Sequence, residues 1–315
     1  MNWLLGLFFQ VNSLNETKVP ELPEVETVMR GLEPALVGQT IAKAEIRRAN
    51  LRFAFPEKFT EKLTGRTVRR LERRAKYILA FLDDDSVWLS HLGMTGRFTV
   101  FGHDGRGQNL AEFYFQSGSK DAGQGKHDHV VLSLSNGVKI VYTDPRRFGI
   151  MDLFSTREMA DHKLLANLGI EPLGNELNAS YLAEVLVGKK APLKATLLDQ
   201  KYIAGLGNIY VCEALFRAGL SPKRRSSTLS KRGKATQMGE KLVQTIRACL
   251  NEAIIAGGST LSDYADINGN AGSFQQRFAV YDREGKPCLT KGCSGTIKRI
   301  VQSGRSTFYC PKCQK

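Results

Sequence analysis

A chain of 315 residues with 42% hydrophobic content has room for two or three domains and is too apolar for global disorder. Lysine and arginine number 45 against 31 acidic residues, an excess of 14 positive charges. Such an excess points to a polyanionic partner, nucleic acid first, with a merely basic soluble protein as the bland alternative.

Residues 1–19 share no pattern with the rest of the chain. Their apolar stretch, 3–11, is far shorter than the ~20 residues of a membrane span. It also lacks the basic flank and small-residue cleavage site of a signal peptide. A cytoplasmic protein is expected, without membrane contact, and there the six cysteines should stay unpaired by disulfides. In KVPELPEVET (18–27) a helix begins. Pro23 suits a first turn, and Glu24 and Glu26 suit the positive end of the helix dipole. Val25, Val28, Met29 and Leu32 recur on one face, and Pro34 and Gly38 close the segment.

Residues 40–155 read as strands: RRAKYILAFL, SVWLSHL, GRFTVF and LAEFYFQ are short β-branched or aromatic runs between turn residues. In HVVLSLSNGVKIVYTD, Asn136-Gly137 suggests a type I′ hairpin with both residues at positive φ. Residues 116–126 form a polar, Gly-rich loop. LGIEPLG (168–174) reads as a linker. Helical patterns come next: LKATLLDQ, then AGLGN leading into IYVCEALFRAGL, which Gly219 and Pro222 close. A long helix is expected from about Ser230 to Gly257-Gly258. The last 35 residues return to short strands and cysteines.

Cys288, Cys293, Cys310 and Cys313 are spaced C-x4-C…C-x2-C, with sixteen residues between the pairs. Two close thiolate pairs brought together by a hairpin make a tetrahedral zinc site. With no spare ligand the metal is structural, contributing on the order of 10 kcal/mol to a segment too small for its own core. Arg299 and Arg305 lie between the pairs and present charge. Cys212 and Cys249 fall in helical patterns and read as core residues.

Other motifs leave alternatives open. AGLGNIY (204–210) is equally a phosphate-cradling helix start or a tight interhelical turn. It gains weight beside the basic loops KRR (223–225) and GKKAPLK (188–194). In DPRRFG (144–149), Arg146 and Phe148 could enter a duplex, as could Met94 in HLGMTGRF. Taken alone, a surface arginine and core Phe and Met fit them better. KHDH (126–129) resembles a metal pair without a third ligand, so a strand edge making polar contacts is preferred. Pro20 inside the chain is an unreactive amide. As a first residue it would be a secondary amine able to attack a sugar C1′, with Glu21 beside it as an acid.

Together PELPEVET, RRAKYIL, HLGMTGRF, KHDHV, DPRRFG, GLGNIY and the cysteine pattern closely resemble the bacterial formamidopyrimidine-DNA glycosylase family, from Pro20 to Lys315. Endonuclease VIII shares the architecture, but its N-terminus usually reads PEGPE. The resemblance implies an α+β fold. An N-terminal helix with a β-sandwich (20–170) precedes a helix–two-turn–helix domain (171–280) and a zinc-finger β-hairpin (281–315), with DNA in the cleft between.

It also implies a monomeric bifunctional glycosylase/AP lyase acting on double-stranded DNA with oxidised purines or abasic sites, with one structural zinc. Pro20 matches the nucleophile, Glu21 the acid, Lys76 the β-elimination lysine and Arg305 the phosphate-gripping δ-elimination arginine. His127, Arg146, Lys189, Lys194 and Asn208 match DNA contacts. Met94, Arg146 and Phe148 match the residues that fill the gap left by an extruded base. The Gly-rich loop looks longer than usual for the family. If residues 1–19 persist, Pro20 is an amide, and a non-catalytic zinc-finger DNA-binding protein is the alternative. Translation is therefore expected to begin at residue 19, from a GTG codon written as Val19, with the initiator methionine removed before Pro20.

Overall fold

A computed structural model describes residues 19–102, 107–109, 123–259 and 274–315. The expected LAEFYFQ strand, most of the Gly-rich loop and nearly all of the N-terminal extension lie outside the described residues.

The first helix, α1 (Leu22–Leu36), starts at Glu21, whose N–H donates to Glu24 Oε2 at 3.0 Å. Its apolar stripe is the expected one: Val25, Val28 and Leu32 are buried. Pro34 does not end it. The helix runs two residues further, because Pro34 sits on the exposed side, where water can satisfy the carbonyl its missing N–H leaves free. Gly38, at φ +79°, then turns the chain away.

The strands and a short helix come in this order: β1 (Ile41–Ile46), α2 (Phe59–Leu63), β2 (Val68–Arg74), β3 (Tyr77–Leu82), β4 (Ser86–His91), β5 (Arg97–Phe101), β6 (Gly107–Asn109), β7 (Asp128–Leu134), β8 (Lys139–Thr143) and β9 (Ile150–Ser155). They form two antiparallel sheets, ordered β1-β7-β8-β5-β6 and β2-β3-β4-β9. Trp88 and Phe98 meet edge-on across the sandwich with ring centroids 6.1 Å apart, in the core that α1 also caps. RRAKYILAFL is not one strand. Ala75, at φ +52°, turns it into the β2–β3 hairpin and leaves Lys76 at the tip. The β7–β8 loop also differs from expectation. Of Asn136 and Gly137, only Gly137 has positive φ, and Leu134 pairs with Val138 around a three-residue loop.

The second half carries α3 (Ala179–Leu186), α4 (Leu193–Leu197), α5 (Asn208–Ala218), a small hairpin of β10 (Ser230–Lys231) and β11 (Lys234–Ala235), and α6 (Gln237–Ile255). The long helix thus starts later than its pattern suggests. Arg232 and Gly233, both at positive φ, close the hairpin, and Thr236 then caps α6. The finger hairpin is β12 (Lys298–Gln302) with β13 (Arg305–Tyr309). Phe308 and Cys310 belong to the same buried cluster as α5 and α6, so the finger is fused to the helices. Glu213 of α5 reinforces the junction by accepting the N–H groups of Ala279, Val280 and Tyr281 at 2.8–3.0 Å.

Two carboxylates join the halves. Glu24 Oε1 accepts from the Tyr210 hydroxyl and from Ser259 N and Oγ, both at 2.7 Å. Glu171, in the expected linker, receives Arg73, Arg74 and the Ala75 N–H at 2.6–2.8 Å.

Candidate active site

Glu21 lies between the halves. Its Oε1 accepts the Ile209 N–H at 3.0 Å, at the start of α5, while Oε2 is buried with no hydrogen-bond partner among the described residues. The close approach needs glycine: a Cβ on Gly207 would lie 2.1 Å from the Glu21 carboxyl carbon. The glycines of AGLGNIY thus admit the protein's own carboxylate to the helix N-terminus, where the sequence suggested a phosphate. Burial is the largest influence on Glu21 and pushes its pKa up from 4.5 to about 7, with Lys76 opposing the rise. A carboxyl that keeps its proton near neutrality, with one oxygen lacking a donor, is suited to general acid work.

Pro20 is buried beside it, and Val19 lines an adjoining cavity of about 190 Å3 with Lys76, Tyr77, His91, Gln200 and Arg305. The β2–β3 turn delivers Lys76, which is half-buried. Desolvation lowers its pKa, the nearby Glu21 charge counteracts this, and Arg305 adds to the lowering. His91 was not singled out from the sequence, although it begins the HLGMTGRF motif. Its Nδ1 accepts the Gly93 N–H at 3.0 Å, leaving Nε2 to carry the proton. Burial first, then Lys76 and Arg52, lower its pKa to about 4, so the ring is neutral at physiological pH.

A rim beside this cavity gathers Met94, Arg146 and Phe148. Asp144, completely buried, organises it by accepting from Thr95 Oγ1 and from Gly149 N at 2.8 Å. Thr95 Oγ1 in turn accepts the Arg146 N–H at 3.1 Å. Gly93, at φ +64°, lets the two loops touch, since a Cβ there would meet the Phe148 carbonyl carbon at 2.4 Å. Met94 is half-buried. Arg146 and Phe148 are exposed, the guanidinium 4.7 Å from the ring centroid.

The four finger sulfurs lie within 4.8 Å of one another, with Cys288–Cys313 at 3.7 Å and Cys293–Cys310 at 3.8 Å. Those separations exclude disulfides. They match the ~3.8 Å edge of a tetrahedron whose metal–sulfur bonds are ~2.3 Å. The residues fit zinc.

Sequence patterns of known families cover the chain in order. The formamidopyrimidine-DNA glycosylase N-terminal domain matches residues 19–151, the H2TH domain of that enzyme 168–265, and the zinc finger found in FPG and IleRS 285–315. The formamidopyrimidine-DNA glycosylases of Beijerinckia indica and of a Bradyrhizobium strain are each 54% identical over 298 residues, covering 94% of this chain and 100% of theirs. The solved complex of Lactococcus lactis Fpg with an abasic site containing DNA superposes with a TM-score of 0.78. It is 33% identical, over 94% of this chain and 100% of that one. A Lactococcus lactis mutant bound to Fapy-dG containing DNA gives 0.79 at 32% identity, with the same coverage. This chain belongs to the formamidopyrimidine-DNA glycosylase family. It is a zinc-binding DNA repair glycosylase with the α+β architecture expected of it.

Within this glycosylase fold, two readings of single residues change. Lys194 is completely buried, and its Nζ donates to Thr307 Oγ1 at 2.6 Å and Ser306 O at 3.1 Å. Helix α4 packs it under the finger hairpin, where it supports β13 from behind. The KHDH stretch is not at a strand edge. His127 precedes β7, and β7 lies between β1 and β8. His129 is buried, its Nε2 2.8 Å from Asp144 O. His127 itself stays half-exposed, and Lys189 donates to the Tyr202 hydroxyl at 2.8 Å. Asn208 Nδ2 donates to Ser306 O at 2.9 Å, tying α5 to the finger. Glu24 and Glu171 join the halves, and Gln200 braces the cavity wall through Gly205 N and Leu206 O; their places in the helix start and the linker gave no sign of these roles.

No helix among the described residues is long and apolar enough to cross a membrane.

Proposed function

We propose that this chain is a bifunctional DNA glycosylase/AP lyase that excises oxidised purines, 8-oxoguanine and formamidopyrimidines, from duplex DNA. The observation that carries the reading is the Glu21 carboxyl, buried next to Pro20, its pKa raised to about 7, with one oxygen that has no donor among the described residues. With Pro20 as first residue, its secondary amine attacks C1′ of the flipped nucleotide and the glycosidic bond breaks. Glu21 gives its proton to the departing group. The Glu21 carboxylate then takes the proton that the amine loses and passes it to O4′ as the C1′–O4′ bond breaks, opening the sugar to an iminium that acidifies the C2′ proton. Lys76, its pKa lowered, suits the base that takes this proton, and the 3′ phosphate leaves. Arg305, on the cavity wall, grips the 5′ phosphate that leaves next.

Met94, Arg146 and Phe148 fill the gap in the duplex, and His127, Lys189 and Asn208 line the DNA path. Zinc, one per chain, is held by Cys288, Cys293, Cys310 and Cys313, keeps the finger folded and takes no part in the chemistry. The working enzyme is a cytoplasmic monomer, with domains at 20–170, 171–280 and 281–315.

The proposed first residue is Pro20. The 298 residues aligned to whole curated relatives, and the N-terminal domain match from residue 19, support it. Borohydride trapping on an 8-oxoguanine duplex tests both points. Protein beginning at Pro20 should form a covalent adduct, and protein retaining residues 1–19 should form none. Equal trapping by a chain whose intact mass includes Met1 would remove Pro20 as the nucleophile.

A further inference from the structure

Only two aromatic side chains among the described residues are exposed: Phe148, at 40%, and Phe53, at 54%. Phe53 lies in the segment joining β1 to α2, and hydrogen bonds tie that segment to β7 and to the rim loop. Arg47 N donates to His129 O at 3.0 Å, next to His127. At the other end Arg52 N donates to Gly149 O at 3.1 Å, and Arg147 Nη1 to Asn50 Oδ1 at 3.2 Å. The tip is a fixed turn. Leu51 is buried beneath it, and Leu51 N donates to Phe53 O at 3.0 Å. Arg47, Arg48 and Arg52 are exposed along the same segment, with the Arg52 guanidinium 5.8 Å from the Phe53 ring centroid.

A lone exposed phenylalanine is ordinary on protein surfaces. One held on a rigid, arginine-rich turn bonded to the loop that carries the other exposed ring has a surface on which to act. We propose that Phe53 is a second aromatic contact with the duplex, stacking on a base laid bare beside the nucleotide that Phe148 displaces. Arg52 would neutralise a neighbouring phosphate. The inference rests on the DNA glycosylase reading of the rim. Aromatic stacking tolerates any base, so Phe53 would strengthen engagement of an opened duplex without reading its sequence.

The test uses the full chain, a duplex bearing one tetrahydrofuran abasic analogue, and the same duplex undamaged. The chain has two tryptophans, Trp3 and Trp88. Subtracting the unsubstituted protein's emission therefore isolates the signal of Phe53→Trp. That signal should fall by about half when the analogue duplex saturates the protein, as expected for a ring in contact with a base. Phe53→Ala should raise Kd for the analogue duplex about tenfold and for the undamaged duplex far less. Unchanged emission at saturation, or an unchanged Kd in Phe53→Ala, overturns the proposal. Should Phe53→Ala fail to fold, the tryptophan signal still decides. An unsubstituted protein with no preference for the analogue duplex would defeat the glycosylase reading, and this inference with it. A preserved preference with a silent tryptophan defeats this inference alone.

Discussion

The cavity at Glu21 and the rim at Arg146 and Phe148 are built in opposite ways. Around the buried Glu21 carboxyl the fold gathers Ile209, which bonds it, and Lys76 and Arg305, which line the adjoining cavity, from four distant parts of the chain. The rim is local: two loops, one buried aspartate between them, and side chains left in solvent. A group that must hold a proton near neutral pH needs a dry setting, because only desolvation disfavours its charged form enough. A group that must enter a partner needs the reverse. It bears the cost of an exposed ring, and the rigidity comes from the layer beneath, here Asp144 and Thr95.

That contrast can be broken most directly at Glu21. Glu21→Gln should lower base excision by about 10²–10⁴-fold while sparing cleavage at a pre-formed abasic site, where no base has to leave. Single-turnover rates on the two duplexes check this, and equal losses on both would remove Glu21 from the acid's role. The dry setting also fixes a pH dependence. The folded-state pKa is raised from 4.5 to about 7, so stability from this group is full below 4.5 and lost as pH rises through 7. Excision should decline above pH 7 for the same reason, as the carboxyl gives up its proton. Urea midpoints across that range should fall in the parent and flatten in Glu21→Gln. A parent midpoint constant from pH 5 to 8 would show that Glu21 is not desolvated.

The finger reaches the cavity through Arg305, on a hairpin that Lys194 and Asn208 support. Cys310→Ser should release the zinc and weaken binding to an abasic-analogue duplex, by more than about tenfold given the size of the folding energy lost. Metal content and fluorescence anisotropy read the two effects, and undiminished binding by zinc-free protein would sink the supporting role. At the rim the effects are smaller. Arg146→Ala should cost about tenfold in excision and narrow the difference between lesions opposite cytosine and adenine, as loss of a base-edge contact does. An unchanged opposite-base preference would return DPRRFG to the status of a structural turn. Phe148→Ala should slow flipping a few-fold, because the ring restores only a fraction of the unstacking cost. Opposite-base preference and nonspecific duplex affinity should hardly change. A fluorescent base analogue beside the lesion reports on that step.

Local patterns made much of this legible. The Val25, Val28 and Leu32 stripe, Gly219 as a helix stop, and the four cysteines are read within a turn or two of chain, where spacing alone fixes geometry. The misreadings were also local in cause. RRAKYIL has the composition of one strand, and nothing in it announces that Ala75 turns left-handed. Lys194 looks like any surface lysine in GKKAPLK until α4 rolls it beneath the finger. KHDH gives no sign that it leads into an interior strand.

The sequence by itself determined the zinc ligands, the order of the domains, the family, and which residues could carry the chemistry, because residue type and spacing are properties of the chain. Tertiary structure alone decided that burial raises the pKa of Glu21, that the first turn of α5 donates to this carboxylate, and that Lys194 is buried under the finger. It also bonded the turn that carries Phe53 to the loop that carries Phe148. Each of these depends on what surrounds a group in space, and desolvation and contact across the two halves exist only once the chain has folded.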